Sequence, residues 1–567
     1  MKSVLNSRLG QRSRHRLLTG VCASAVVAFG CVLGASVAQA IDFDTGSTDY
    51  KIRWDNTFKY SSSFRVRDPA KSLTNDVNLD DGDRNFKQGF VSNRFDLLSE
   101  FDASYKRFGV SASVAAWYDA AYDQTTDNTS ASSTNSMSRT NRDFTAQTQK
   151  WMGKNAEILN GFAYGSANIG DTSLSGRVGR HSLVWGETLF FGGNGIAGAQ
   201  QPVDLIKLLT VPSSQFKEII RPVNQVSGQL QITPQIAVGA YYQLEWRPTL
   251  IPPAGSFLSA TDFVGIGSER LFVGPPGAGF WRTGDISGKD SGQGGVQLKF
   301  GVPKYDLDFG LYYVRYNDKT PNLYVSPAFV PTMTAQGLRL GGLTEVYHNG
   351  IESVGWSATK NVEDISLATE VSYRWHNDLV SDPQIVAPGT TADGKNRYLY
   401  AVGESLHANL SGIYLYGPSA FWDGGDLLAE VAYNNRLGIS RNPGALDPNT
   451  TRDAVAFRMI FEPNYFQVLP GLDLVVPIGI GFNPIGRSST ILNFNGGTEG
   501  GGDVSIGVKG NYQNVWRIGL SYTSFFGPSG NWLSPLNALQ TGQGPVVSNK
   551  QSLADRDFVS FTVQRSF

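Results

Sequence analysis

From Ile41 to the final residue, Phe567, the chain repeats short segments in which apolar and polar side chains alternate, with no apolar run of membrane-helix length among them. A strand turns successive side chains to opposite faces, so each such segment can show lipid one face and water the other. Ile52, Trp54, Phe58, Tyr60, Ser62, Phe64 and Val66 share one parity; Lys51, Arg53, Asp55, Thr57 and Lys59 share the other, and Asn56 is the exception on the apolar side. Hairpins of the same period run through Phe95 to Tyr118, Val296 to Tyr313 and Val504 to Tyr522. The last segment places Val559, Phe561, Val563 and Phe567 on one face and Ser560, Thr562, Gln564 and Ser566 on the other. That ending looks like the carboxy-terminal signal by which barrel proteins are recognised for outer-membrane assembly, with Arg565 departing from the apolar face. An open sheet edge in hydrocarbon would leave backbone groups unpaired, so the sheet has to close. The predicted fold is all-β: a transmembrane antiparallel β-barrel of about 14–18 strands with short internal or capping helical segments.

The amino terminus sets the compartment. Lys2, Arg8, Arg12, Arg14 and Arg16 precede an apolar run from Leu17 to Val37 and the small pair Ala38 and Ala40, the pattern of a secretory signal cut before Ile41. The expected organisation is a signal over 1–40 and a single barrel over 41–567, in the outer membrane of a Gram-negative cell. Both cysteines, Cys22 and Cys31, leave with the signal, which excludes disulfide and thiolate chemistry from the mature chain. Five of the 48 basic residues leave too, so 43 face 49 acidic ones and the mature charge is −6. That balance argues against nucleic acid as a partner, whose phosphates need a basic surface.

Some stretches break the strand rhythm. Thr125 to Gln149, the Asn442, Pro443, Gly444 sequence and Asn493 to Gly502 read as excursions, the first as a mobile external loop. Residues 188–224 differ, because Phe190, Phe191, Gly192, Gly193 and Gly195 precede a short amphipathic pattern through Pro202, Leu205, Ile206, Leu208 and Leu209, and Phe216, Ile219 and Ile220 form a second. Helical turns cannot belong to the barrel wall, so this segment is expected in the lumen, as a constriction or hatch, with an ordinary surface loop as the alternative. Its apolar residues Phe190, Phe191, Leu205, Leu208, Leu209 and Phe216 are the candidate contacts for a passing solute. Lumen charges are expected at Arg53, Asp55, Asp96, Glu100, Asp102, Arg177, Arg180, Glu187 and Asp204.

Catalysis finds little support. The four mature histidines, His181, His348, His376 and His407, are scattered without metal-ligand spacing, and no serine sits in a nucleophile-elbow context. No cofactor is expected. Calcium is the alternative at Asn78, Asp80, Asp81, Gly82, Asp83 and Asn85, which offer oxygens around a glycine but lack the EF-hand spacing and its closing glutamate.

Beyond these patterns the chain resembles a family of proteobacterial outer-membrane proteins catalogued as domain-of-unknown-function family 1302. The resemblance is carried by Arg53 to Thr57, Asp81 to Phe86, Arg94 to Asp96 with Glu100, and Trp117 to Asp119. It continues through Arg177 to Arg180, Trp185 to Glu187, Pro202 to Asp204, and Glu245 to Pro248. It covers nearly all the mature chain. It implies a channel-like barrel with no assigned enzyme chemistry. The barrel and its carboxy-terminal signal imply outer-membrane lipid, lipopolysaccharide and the barrel assembly machinery as partners; by the family analogy a periplasmic protein of lipoprotein-carrier type and an inner-membrane transporter of the resistance-nodulation type join them. The resulting expectation is a channel for small hydrophobic or amphipathic compounds; a general polar-solute porin and a non-transporting binding or assembly platform are the alternatives.

Overall fold

The computed structural model describes residues 41–43, 46–212, 216–274, 277–533 and 545–567; the expected export signal, 1–40, lies outside the described residues. The barrel wall begins with β1 (Tyr50–Arg65), β2 (Gly89–Tyr105), β3 (Phe108–Asp119), β4 (Lys154–Ile169), β5 (Thr172–His181) and β6 (Val223–Thr233). It continues with β7 (Ile236–Gln243), β8 (Gln293–Val302), β9 (Leu307–Asn317), β10 (Asn349–Val362), β11 (Ile365–Asp378) and β12 (Val402–Tyr416). It ends with β13 (Gly424–Arg441), β14 (Asp453–Leu469), β15 (Leu472–Val475, resuming as Ile478–Ile485), β16 (Gly502–Tyr512), β17 (Trp516–Phe526) and β18 (Phe558–Ser566). Each strand pairs antiparallel with the next, and β18 returns to β1 from Arg65↔Phe558 to Thr57↔Ser566. The sheet is therefore a closed eighteen-stranded barrel, at the upper end of the predicted range.

Closure satisfies the edges that hydrocarbon would leave unpaired. At its seam the terminal residue is part of the ladder: Asn56 N–H donates to Phe567 O at 3.1 Å and Phe567 N–H to Asn56 O at 2.8 Å. The three-residue strand Ile41–Phe43 then extends the same edge of β1.

The alternation resolves as predicted. On β1, Trp54, Phe58 and Phe64 are exposed on the outer face, whereas Lys59, Ser61, Ser63 and Arg65 are buried inside. Phe561 of β18 is likewise exposed on the outer face. The exception, Arg565, stays on that outer parity but its guanidinium lies 4.8 Å from the Trp516 ring centroid and 4.5 Å from that of Phe567. Two aromatic faces thus carry the charge at the barrel rim.

One end has short turns, such as Lys106 and Arg107 between β2 and β3, where Lys106 adopts φ 54°. The other end carries long connections, and these fold together over the mouth. Leu79, Phe263, Leu343, Val380, Leu533 and Val547 share one apolar cluster although they come from five different connections around the barrel. A second cluster joins Phe86, Tyr122, Phe144, Phe257 and Phe558. Segments of three connections also build a small sheet of five strands that includes the hairpin Asn322–Thr334 and Gly337–Val346. The stretch from Thr125 to Gln149, expected to be a mobile loop, is instead packed into this dome: Phe144 is 3 % exposed, and Asn128 and Asn135 bond to Asp81. Polar composition did not reveal this, because its hydroxyls and amides bond to neighbouring loops as readily as to water.

Candidate functional site, a loop held inside the lumen

The connection between β5 and β6, residues 182–222, crosses the interior. Its first arm lies on the far wall. Glu370 of β11, 1 % exposed, accepts the backbone N–H of Glu187 at 2.7 Å and that of Ile196. Glu430 of β13, equally buried, accepts from Leu189 and Phe191, each at 3.1 Å, and from Phe190. Arg374 of β11 donates to the carbonyls of Gly193, Asn194 and Gly195 at 2.9–3.0 Å. Two carboxylates and one guanidinium therefore grip the backbone of a turn whose glycines leave its amides and carbonyls accessible. The Asn194 side chain continues the grip, bonding Asn409, His407 and Asn434.

Packing reinforces the hydrogen bonds. Phe191 is 7 % exposed among Ala432, Ala454 and Ala456, and its ring centroid is 5.7 Å from that of Phe494. Those alanines lie on the inward face of β13 and β14, where short side chains leave room for the phenyl group. Phe494 belongs to the Asn493–Gly502 excursion, which thus reaches the lumen as well. Trp185 rests on Tyr241 and Tyr312 of β7 and β9. Lys319 donates to Ala199 O at 2.9 Å, and burial pushes its ammonium down to about 8.

The second arm turns to the opposite wall. The helix Leu205–Thr210 is capped by Asp204, whose carboxylate accepts Lys207 N–H at 2.9 Å. Ile206 and Lys207 are buried, the latter 5.2 Å from the Trp117 ring of β3. Leu208 and Leu209, on the side away from that wall, are 50 % and 41 % exposed. Arg221 and Arg247 converge on Glu157 of β4, and Lys217 pairs with Glu100 of β2. Phe216 begins the helix Phe216–Ile219, and its side chain lies outside the described residues.

The expected lumen charges divide into groups. Asp96 pairs with Arg94 at 2.8 Å, Asp55 with Arg53 at 2.6 Å and Glu187 with Lys299 of β8 at 3.4 Å. Asp102 accepts from Tyr164 at 3.0 Å, and Arg177 lies over Phe162. Arg180 is a correction: it shares the outward parity of Leu174 and Val178 and pairs at the rim with Glu245 at 3.0 Å, so it does not line the interior. The expectation that Phe190 and Phe191 offer contacts to a solute is also corrected for Phe191, which is spent on wall packing. Glu370, Glu430, Arg374 and Glu157 escaped sequence reasoning; their signal was a charge on the water-facing parity of a strand.

On β15 to β17 the inward parity carries Asp503, Lys509, Arg517 and Phe525 together with the short residues Gly479, Gly481, Ser505, Gly507, Gly519, Ser521 and Thr523. Beside these residues stand two half-exposed ion pairs, Arg458 with Asp503 at 2.5 Å and Lys509 with Glu462 at 3.2 Å.

The acidic turn raised for calcium is a single helical turn, Asp81–Arg84. Each of its carboxylates bonds within the protein through at least one oxygen: Asp83 to Arg65 at 2.8 Å and Arg556 at 3.1 Å, Asp80 to Arg84, and Asp81 to Asn128, Thr134 and Asn135. Among the described residues no group of three or more His, Cys, Asp or Glu converges as a metal-binding set. The buried histidines bond structurally, His181 to Ser227 and Gly179 O, His348 to Tyr400 and His376 O, and His407 to Ser405 and Asn194.

An apolar exterior, a polar interior and a loop inside define an outer-membrane-type β-barrel. The chain belongs to the family described as "Protein of unknown function (DUF1302)", whose model matches residues 21–567. No curated protein matches it. Among solved structures it is similar to OccAB4 of Acinetobacter baumannii, at 10% identity over 93% of this chain and 100% of that one, with a TM-score of 0.39. It is similar to the outer membrane channel DcaP of the same organism, at 8% identity over 92% and 98%, with a TM-score of 0.36. The BenF-like porin from Pseudomonas fluorescens Pf-5 gives 8% over 91% and 98%, with a TM-score of 0.39.

Proposed function

We propose that this protein is a restricted diffusion channel for small polar solutes, with the 182–222 loop as its constriction. The observation that carries the reading is the division of the interior. Trp185 and Phe191 of the loop are consumed in packing, whereas β14 to β17 present glycine, hydroxyl and paired charges to the remaining space. A solute passing there exchanges hydrogen bonds with water for bonds with hydroxyls and ion pairs, at little net cost. This favours the polar-porin alternative over the hydrophobic channel expected from the sequence. In reconstituted liposomes, swelling should be fast for small neutral and charged solutes and fall off steeply with solute size. Ion conductance indistinguishable from empty bilayers would reject the channel.

Leu208 and Leu209 support a second reading. Exposed inside the barrel, they would suit an amphipathic cargo passed on by a periplasmic carrier and an inner-membrane transporter. Slow swelling combined with saturable uptake of an apolar fluorescent probe would favour it. Under either reading residues 1–40 act as the export signal, and Val559, Phe561, Val563 and Phe567 present the closing strand to the assembly machinery.

A further inference from the structure

Where three outer connections meet, two carboxyl groups touch. Asp382, between β11 and β12, and Asp447, between β13 and β14, hydrogen-bond to each other through their side chains. Two ionised carboxylates cannot form that bond, so the contact needs a proton. The roles are readable from the other partners. Asp447, fully buried, accepts Asn449 N–H at 2.8 Å on Oδ1 and Val547 N–H at 2.6 Å on Oδ2, as an ionised acceptor does. Asp382 Oδ1 is buried and accepts from no N–H or hydroxyl among the described residues, so Asp382 is the partner left to carry the shared proton.

The surrounding charges leave the pair uncompensated. Neither residue belongs to an ion pair among the described residues. The cation that acts on Asp447 is Arg487 of the β15–β16 connection, and its guanidinium is bound to Glu499 at 2.5 Å and to the carbonyl of Asn449. The last connection contributes the backbone of Val547 to the pair.

The contact sits at a mechanical junction. Ser381 bridges Leu446, Asp382 N–H donates to Ala445 O at 3.1 Å, and Asp447 N–H donates to Val380 O at 3.0 Å. Asn449 reaches Val547 O at 2.7 Å. Val380 and Val547 themselves belong to the apolar cluster that roofs the mouth. We propose that Asp382 and Asp447 form a proton-dependent latch that fastens three outer connections into a closed dome and releases them as the outside medium turns alkaline. Burial and the neighbouring Asp447 raise Asp382 to about 7, which places the release near neutrality. Loss of the shared proton sets two like charges against each other in the junction, and moving the loops apart relieves them.

The test is hydrogen exchange by mass spectrometry on the full-length protein in detergent micelles, at pH 6 and pH 8, with rates corrected for intrinsic exchange. Protection of the segments around 379–386 and 444–450 should fall by about tenfold or more in the wild type, the order expected when opening is linked to one proton across this interval. In Asp382→Asn the amide donates to Asp447 without titrating, so protection should stay at the pH 6 level at both values. Should that variant not fold, as judged by heat-modifiable migration, Asp447→Asn removes the same repulsion and should diminish the pH response, leaving only the part due to the burial of Asp382. An unchanged wild-type profile, or a pH response that persists undiminished in the variant, would overturn the latch. The readout does not involve solute passage, so it stands or falls separately from the channel.

Discussion

Glu430 and Phe191 meet across the lumen: the carboxylate projects inward from β13 and takes the backbone N–H of Phe191 at 3.1 Å, while the phenyl ring fills the space left by three alanines. A wall strand and an internal loop are thereby joined at backbone level, and in the proposed channel the aperture would depend on side chains that a solute need not touch.

Replacing Glu430 by Ala should free the turn at Leu189 to Phe191. Three N–H groups lose their acceptor, and that of Phe191, which is buried, costs about 1–3 kcal/mol if left unsatisfied. Single-channel recordings should show larger and noisier conductance, with the heat-modifiable barrel retained. Conductance identical to wild type would mean that the loop does not set the aperture.

Gly82 has no space for a side chain. A Cβ there would stand 2.7 Å from Ser259 O and 2.9 Å from Ser256 O, both backbone atoms of another connection. Gly82→Ala should push the two connections apart and destabilise the dome by about 1–3 kcal/mol. Limited proteolysis should then cut within 66–88 or 244–292 faster than in the wild type.

Arg65, Asp83 and Arg556 form a fully buried triad that ties the first and last outer connections. Although burial alone would raise Asp83, the guanidinium groups of Arg556 and Arg65 outweigh it and hold the carboxyl below its ordinary value. A depressed value stabilises the dome above the unfolded-state pKa of about 3.9, and that contribution fades as pH falls through the lower folded-state value. Thermal scans should therefore show the wild type losing stability in strong acid. Asp83→Asn should show the loss already at neutral pH, by about 3–5 kcal/mol, because buried Arg556 loses its counter-charge and Arg65 keeps only Asp555, at 3.2 Å.

Arg458 and Asp503 give the open wall balanced charge. Arg458→Glu should leave two carboxylates there, and reversal potentials measured across a salt gradient should shift toward cations. An unmoved reversal potential would place the ion path elsewhere.

Phe567 closes the seam through its backbone and, with Trp516, flanks the Arg565 guanidinium. Phe567→Ala keeps the backbone ladder but removes one aromatic face. The amount of folded barrel in outer-membrane fractions should fall, whereas the melting temperature of the protein that does assemble should change little.

Much of the wall was legible because lipid and water impose a simple rule. Phe58 and Lys59 differ by one position and end on opposite faces, and a period of two records that directly. The internal segment was legible as a departure from that period, and its helices at Leu205–Thr210 and Phe216–Ile219 fall where the amphipathic pattern placed them. Arg180 was misassigned because its charge was read as a mark of the lumen although it shares the parity of the exposed Leu174 and Val178; at the rim Glu245 and water accept a charge on the outer face. The packing of 125–149 was hidden because polar loops look alike in sequence whether water or a neighbouring loop takes their hydrogen bonds.

The chain's own order of residues determined a closed β-barrel, since alternating faces in a medium without hydrogen-bond partners leave closure as the stable solution. It also determined that the segment from 188 onward would leave the wall, although the connection ends at 222 and Val223 and Asn224 already pair in β6. What lies inside the barrel was decided only in three dimensions. Glu430 and Phe191 are 239 positions apart, and the bond between them exists because β13 happens to face the loop across the lumen. A side-chain pattern reports the solvent each residue meets, but which distant residue it meets follows from how eighteen strands close on themselves.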